Sequence, residues 1–479
     1  MKTNLLYVFA DQWRAAAMGW MGQDQAVTPR IDAFAQEGVR CSDAYSTFPL
    51  CSPHRACLMT GKYPLRTGMW TNCKTGLEEV LMLKPQEICI GNVLKENGYR
   101  TGYIGKWHLD ASEQNFYKHP ESGAEGWDAY TPPGERRQGF DYWLSYGADD
   151  NHLSPHYWQD DTNQIRPGKW SVEFETDQAI RFMESCREND QPFALFVSYN
   201  PPHLPYELVP EKYLKQFEHL KVRYRENVPH HMRAPGGLLE TQTRQYLAAV
   251  AGVDEHFGRL LDYLSQNQEE ENTLVILSAD HGEMMGSHGL MSKNVWYEES
   301  IHIPLIMRQK KRLHSRSYQE IVASIDHMPT VLELLDLPVP DTCDGISHAK
   351  GILDTGGREA SEKDAHLDGK VPQNMFLCSY PGGADMVKIF AERGLTHKSY
   401  GWRGIKDKRY TYVVSRGYAP DEEWMECLYD SLEDPYELNP HMIPLNCHDE
   451  QILCYRTQLR KYLEQIKDPF LYHRDCNFE

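Results

Sequence analysis

A cysteine heads the segment Cys51-Ser52-Pro53-His54-Arg55-Ala56-Cys57-Leu58-Met59-Thr60-Gly61. Ser52 suits a helix cap, Pro53 a first helical position and Gly61 a helix end, so the spacing predicts a short helix with Cys51 at its N-terminus. Free N–H groups and the helix dipole at such an end favour a nucleophilic sulfur or oxygen and a bound anion, and Arg55 adds charge one turn on. Taken alone, Cys51 reads as one more buried cysteine before an ordinary helix. Two other segments change that reading. LLYVFA runs into Asp11-Gln12 and TLVILSA runs into Asp280-His281, each placing a carboxylate just beyond an apolar strand. Ligands of open α/β sheets gather at the carboxyl ends of strands. Two such carboxylates with oxygen or nitrogen neighbours make a hard divalent-cation site. An oxygen-rich shell favours Ca2+, and Mn2+ or Zn2+ suits binding through His281. In TGYIGKWHL, Lys106 and His108 are two apart and share a face if this run is a strand, so both can face one substrate.

These residues carry a resemblance. C-x-P-x-R followed by A-x-L-x-T-G, at Cys51, Pro53, Arg55, Ala56, Leu58, Thr60 and Gly61, is similar to the signature of the type I sulfatases of the alkaline phosphatase superfamily. The G-K-W-H run ending at His108, NPPHLPY with His203 and HGLMSKNVWYEES with Lys293 resemble further sulfatase motifs. GIKDKRYTYV and LYDSLEDPYELNP resemble the ends of sulfatase C-terminal subdomains. His54 departs from the pattern, since serine or alanine is usual there.

The resemblance implies that Cys51 is oxidised to formylglycine (3-oxoalanine) by a formylglycine-generating maturation enzyme. It further implies that Asp11, Gln12, Asp280, His281 and the modified Cys51 hold the metal, and that Lys106, His203 and Lys293 contact sulfate. An aldehyde hydrate has two hydroxyls on one carbon, one to attack sulfur and one to expel sulfate afterwards. In this scheme His203 protonates the departing sugar oxygen and His108 takes a proton from the second hydroxyl. Arg55, Lys106 and Lys293 place positive charge where the transition state needs it. The implied activity is hydrolysis of a sulfate ester on a small molecule or short glycan. Two alternatives stand beside it: a phosphonate or phosphate ester hydrolase of the same superfamily, suggested by Asp11-Gln12 and Asp280-His281, and a non-catalytic binder of sulfated glycans in which Cys51 is never oxidised.

Elements must hold these groups together. Apolar runs at 3–10, 101–106, 193–199 and 273–279 read as strands, alternating with helical segments, which is the pattern of a mainly parallel sheet flanked by helices. Thr28-Pro29 opens a helix that Gly38 closes. Leu247, Val250, Val253, Phe257, Leu260, Leu261 and Leu264 recur at helical spacing, predicting a long amphipathic helix over about 241–266. Residues 120–170, rich in Gly, Pro, Trp, Tyr and Asp, read as an irregular excursion that walls a pocket, and Trp127, Trp143 and Trp158 within it, with Trp107 before it, are candidates to stack on sugar. The polar stretch 345–372 reads as a boundary between an α/β catalytic domain (1–370) and an α+β C-terminal subdomain (371–479). A strand pair in GIKDKRYTYVVS and a helix over 449–467 mark that subdomain, and Trp402 and Arg403 are candidates for specificity there.

The formal net charge of −19 repels long polyanions, nucleic acid included, so any bound anion needs a local cationic pocket. No apolar run approaches the length of a membrane span. MKTNLLYVFADQW lacks the h-region and cleavage site of a secretion signal, and the twelve irregularly spaced cysteines suit reduced thiols, so a cytoplasmic location is expected. Oligomeric state is not legible in the sequence.

Overall fold

The computed structural model describes residues 2–353 and 371–472. Fifteen strands are described: β1 (Asn4–Ala10), β2 (Val39–Cys41), β3 (Ala44–Tyr45), β4 (Arg100–Lys106), β5 (Tyr142–Tyr146), β6 (Phe193–Tyr199), β7 (Thr273–Ala279), β8 (Leu305–Arg308), β9 (Arg316–Tyr318), β10 (Val322–Ala323), β11 (Asn374–Ser379), β12 (Trp402–Asp407), β13 (Tyr410–Ser415), β14 (Met425–Asp430) and β15 (His441–Met442). The main sheet has the order β5-β4-β6-β1-β7-β8-β2-β9. Its first five strands are parallel and β8 runs against its neighbours. The four predicted strands are β1, β4, β6 and β7, adjacent at the centre of this sheet. Strands buried on both faces need apolar runs rather than alternation, which is why β1, β6 and β7 stand out in the sequence. β1, β6 and β7 are entirely buried.

Helices cover the sheet. Thr28 precedes the helix Pro29–Glu37, and Gly38 follows it. The long amphipathic helix spans Leu238–Gln266, with Leu247, Val250, Val253, Phe257, Leu260, Leu261 and Leu264 buried as the periodicity requires. The irregular excursion contributes β5 to the sheet edge, so it is not wholly irregular. The second, antiparallel sheet runs β11-β12-β13-β14-β15, and the helix Glu450–Ile466 closes the C-terminal unit. The architecture is therefore a mostly parallel α/β layer with a C-terminal antiparallel sheet. The reading of 345–372 as a boundary falls largely on 354–370, outside the described residues. No helix among the described residues is long and apolar enough to cross a membrane.

Register sets the site. Ala10 pairs with Tyr199 on one side and Ala279 on the other, so β1, β6 and β7 end level with each other. Their next residues, Asp11, Asn200 and Asp280, emerge together at one rim. Lys106 ends β4 beside them. The neighbouring glycine, Gly105, has φ +98°, and a Cβ there would stand 2.1 Å from the Ser198 carbonyl oxygen, so only glycine lets β4 approach β6 this closely.

Candidate active site

Cys51 is the first residue of the helix Cys51–Thr60, as its sequence predicts, but the capping differs from the expectation. Leu50 occupies the cap and Ser52 lies inside the first turn. Ser52 instead ties the helix start to its surroundings. Its N–H donates to Asn72 Oδ1 at 3.0 Å, its hydroxyl donates to the His108 carbonyl at 2.6 Å, and it accepts from Cys73 N–H at 3.1 Å. His54 faces away, bonded to Ser46 at 2.8 Å, and burial pushes its imidazole well below the usual range. It is a neutral core histidine.

Around Cys51, the structure gathers the strand-end groups. Cys51 Sγ lies 3.7 Å from Asp11 Oδ1 and 3.3 Å from His281 Nε2. His281 Nε2 is 3.4 Å from Asp11 Oδ1 and 3.5 Å from Asp280 Oδ1. All four residues are buried, and their donor atoms lie within 4.8 Å of one another. Burial alone raises the thiol, as does Asp11, yet Lys293, Lys106 and His281 outweigh both and hold Cys51 well below the usual thiol range. Burial and the Asp11 charge push Asp280 up, as expected of two carboxylates packed together out of water.

The donor set suits a divalent cation. His281 Nδ1 donates to the Gly282 carbonyl at 3.0 Å, which leaves Nε2 as a lone pair turned towards the two carboxylates. Asp11 divides its oxygens, with Oδ2 bound to Lys106 (2.8 Å) and Arg55 (3.1 Å) while Oδ1 faces Cys51 and His281. Gln12, held at φ 64°, donates its backbone N–H to Asp280 Oδ1 at 3.0 Å. Its side-chain Oε1 accepts from Lys293 at 2.5 Å and its amide nitrogen donates to Tyr206 and Glu283.

Arg55 stands behind the carboxylates. It donates to Asp280 Oδ2 (3.2 Å), Asp11 Oδ2 (3.1 Å), the Lys106 carbonyl (2.6 Å) and Ser198 Oγ (2.8 Å), and its plane lies over Phe9. Every arm of this buried guanidinium is engaged within the protein, so it positions the Asp11 and Asp280 carboxylates. Arg55→Ala is expected to lower stability by about 3–5 kcal/mol, because two buried carboxylates lose their shared cation. Urea unfolding of the variant measures this, and a loss below about 1 kcal/mol would contradict it.

Lys106 and Lys293 join the site through Asp11 and Gln12. Lys106 contacts Asp11, Asn200 Oδ1 (3.1 Å) and Asp150 (3.8 Å). Lys293 contacts Gln12 and, at 2.8 Å, His203 Nε2. His203 Nδ1 donates to the Leu204 carbonyl at 2.7 Å and lies 3.3 Å from Asp150, while His152 bonds the His203 carbonyl. Burial and Lys293 pull the His203 imidazole down, but Asp150 and Asp11 prevail and raise it to about 9. The Lys293 ammonium nitrogen and the His203 ring thus stand in direct contact at 2.8 Å. His108 reaches the rim differently from the strand-face expectation. β4 ends at Lys106, and His108 turns away at φ 50°. Its Nε2 donates to the Cys73 carbonyl at 3.1 Å, and its Nδ1 is a buried lone pair without a partner.

Compared with known proteins, the chain matches the sulfatase family model over residues 3–337. The chain belongs to the sulfatase family. It is 33% identical to an endo-4-O-sulfatase of Bacteroides thetaiotaomicron, over 98% of this chain and 93% of that one. It is 31% identical to an ulvan-active sulfatase of Formosa agariphila, over 91% of this chain and 76% of that one. A solved structure from work on glycosaminoglycan metabolism by B. thetaiotaomicron superposes with a TM-score of 0.85 at 32% identity, covering 98% of each chain. As a sulfatase, the protein is a sulfuric ester hydrolase of the alkaline-phosphatase-like fold.

Several residues of this sulfatase site escaped the sequence reading. Asp150 stands at Lys106 and His203; Glu283 is fully buried and accepts from Tyr206 at 2.8 Å; Asn72 anchors the helix start. Asn200 had a signal, since it directly follows a buried strand. Asp150 lay in an irregular stretch with none. Trp402 and Arg403, read as specificity candidates, are core instead: Arg403 is fully buried, paired with Asp468 at 2.6 Å, and Trp402 donates to the Asn294 carbonyl. Trp107, Trp143 and Trp158 are buried, whereas Trp127 is 43% exposed and stacks on His108 with Lys74 over its ring.

Proposed function

We propose that this sulfatase removes sulfate from a glycan, with formylglycine made from Cys51 by a maturation enzyme and a divalent cation held by Asp11, Gln12, Asp280 and His281. The observation that carries the reading is Cys51 at a helix N-terminus, within contact distance of Asp11 and His281, with Lys106 bonded to Asp11 and Lys293 to Gln12. The names of the relatives, an endo-4-O-sulfatase and an ulvan-active sulfatase, support a carbohydrate sulfate. Ca2+ is the favoured ion for the oxygen donors, with Mn2+ or Zn2+ suited to the His281 nitrogen.

When present, the aldehyde hydrate supplies two hydroxyls on one carbon, and the cation neutralises charge developing on sulfate oxygens. The chain's own residues do the rest. Lys106 and Lys293 hold the sulfate between them, and Arg55 keeps Asp11 and Asp280 in place. His203 delivers a proton to the departing sugar oxygen, replenished through Lys293. His108, with an open Nδ1, receives a proton from the hydroxyl that remains. Polar residues Asp128, Asp149, His156, Gln164 and Arg166 line a cavity of about 220 Å³ on the excursion, suited to sugar hydroxyls.

Sulfate released from matured protein, measured on sulfated disaccharides and polymers, tests the proposal. Turnover of short sulfated glycans, faster than of polymers given the charge of −19, is expected. Preference for a phosphonate ester would overturn it in favour of the phosphonate hydrolase alternative, and binding without turnover in favour of the glycan binder.

Two substitutions probe the groups around the site. The acid form of His203 is lost as pH rises through about 9, so kcat falls along that limb. Because this value exceeds the ~6.5 of an unfolded histidine, the stabilisation from Asp150 is fully present below pH 6.5 and fades towards pH 9. Asp150→Asn removes the largest raising charge and should move the alkaline limb of the kcat profile towards neutrality; an unmoved limb would separate Asp150 from the acid. Trp127→Ala is expected to raise KM by about 2–12-fold with little change in kcat, the worth of one aromatic stacking contact.

A further inference from the structure

A second cluster lies where the C-terminal unit meets the α/β layer, formed by two buried carboxylates and a half-buried histidine absent from the site above. His288, Glu299 and Glu437 bring one ring nitrogen and two carboxylate oxygens within 4.8 Å of one another. Glu299 and Glu437 are 3% and 2% exposed, so their charges are cut off from water. One oxygen of each is already bound: Glu299 Oε1 accepts from Arg225 Nε (2.8 Å) and Asn227 Nδ2 (2.9 Å), and Glu437 Oε2 accepts from the Glu298 N–H (2.9 Å). The other two, Glu299 Oε2 and Glu437 Oε1, are buried without any hydrogen-bond partner. Asn227 Oδ1 is likewise buried and unpartnered, while its nitrogen donates to His288 Nε2 at 3.2 Å.

Charge bookkeeping sharpens the point. Glu298 next door is answered by Lys406 at 2.8 Å and His302 at 3.2 Å, and Glu299 by Arg225. Among the described residues, no Lys, Arg or His nitrogen pairs with Glu437. A buried carboxylate oxygen without a partner is costly, and Glu437 offers one such oxygen beside that of Glu299, its other oxygen being held only by the Glu298 N–H. Tyr297 stacks on the His288 ring at 3.7 Å and 10°, fixing its plane.

We propose that His288, Glu299 and Glu437 bind a second divalent cation, which clamps the loop after β14 onto the turn at Glu298–Ile301. Two carboxylate oxygens and an imidazole suit Mn2+ or Zn2+ better than Ca2+. Asn227 is a positioning residue for Glu299, and its amide gives up His288 Nε2 to the ion on binding. The ion is structural here, since the cluster contains none of the groups around Cys51, and the assignment does not rest on the sulfatase chemistry.

Metal content of the full-length protein, loaded with MnCl2 or ZnCl2 and freed of excess, provides the test. Wild type should hold two equivalents, and Asp280→Asn and Glu437→Gln one each. In the Asp280→Asn protein the unfolding midpoint should still rise with added MnCl2 or ZnCl2, and this rise should vanish on adding Glu437→Gln. His288→Asn, which leaves both carboxylates in place, should weaken binding at least tenfold and guards against misfolding of the glutamine variant. One equivalent in wild type that Glu437→Gln leaves intact would overturn the proposal, showing that a proton on Glu437 takes the place of the ion.

Discussion

Cys51→Ala protein, expressed with a formylglycine-generating enzyme, is expected to release sulfate at least ~10³-fold more slowly than wild type while keeping the wild-type fold. Loss of a nucleophile on this scale is what covalent catalysis predicts, because the residual rate comes only from binding and charge stabilisation. Stability should change by about 1 kcal/mol or less, since the sulfur makes two polar contacts and alanine keeps the helix start. The peptide containing residue 51 should show the aldehyde mass in wild type and an unmodified alanine in the variant. An aldehyde-bearing wild type that is no faster than Cys51→Ala would remove Cys51 from the chemistry.

Asp280→Asn should be comparably damaging to activity, and for a separable reason. Asp280 Oδ2 takes Arg55, and Oδ1 takes the N–H groups of Gln12 and His281, so this one carboxylate orders three of the groups around the proposed cation. An amide preserves the shape but withdraws the charge. Loss of cation at the Cys51 site and a ~10³-fold or greater fall in sulfate release are expected. Wild type stripped by EDTA should show the same loss, recovered on adding back CaCl2, MnCl2 or ZnCl2, whereas stripped Asp280→Asn should not recover. Full activity of stripped wild type would show that the reaction needs no cation there.

The local features were legible because their information is local. Buried central strands are unbroken apolar runs; the helix from Leu238 carries its own periodicity; and the residues that follow β1, β6 and β7 must emerge at one rim once those strands pair in register. Asp11, Asp280, His281, Cys51, Lys106, Lys293 and His203 lie in one chain of contacts there. His108 leaves its strand through a left-handed turn and meets the start of the Cys51 helix through Ser52, which spacing alone could not distinguish from strand alternation.

Partner choice was not legible, because each partner lies far away in the chain and is selected by packing. Arg55 could have faced an anion; its contact with Asp280, 225 residues on, commits it to the carboxylates instead. Trp127 is partly exposed while Trp107, Trp143 and Trp158 are core, although all four are the same residue type. Asp150 and Glu283 acquire their places only when loops between strands fold over the rim. By itself, then, the sequence determined the strand order's raw material, the helix that presents Cys51 and the set of reactive groups. Tertiary structure decided which charges neutralise one another, which lone pairs stay open and which aromatic ring meets solvent, since those depend on distances between segments that no local pattern encodes.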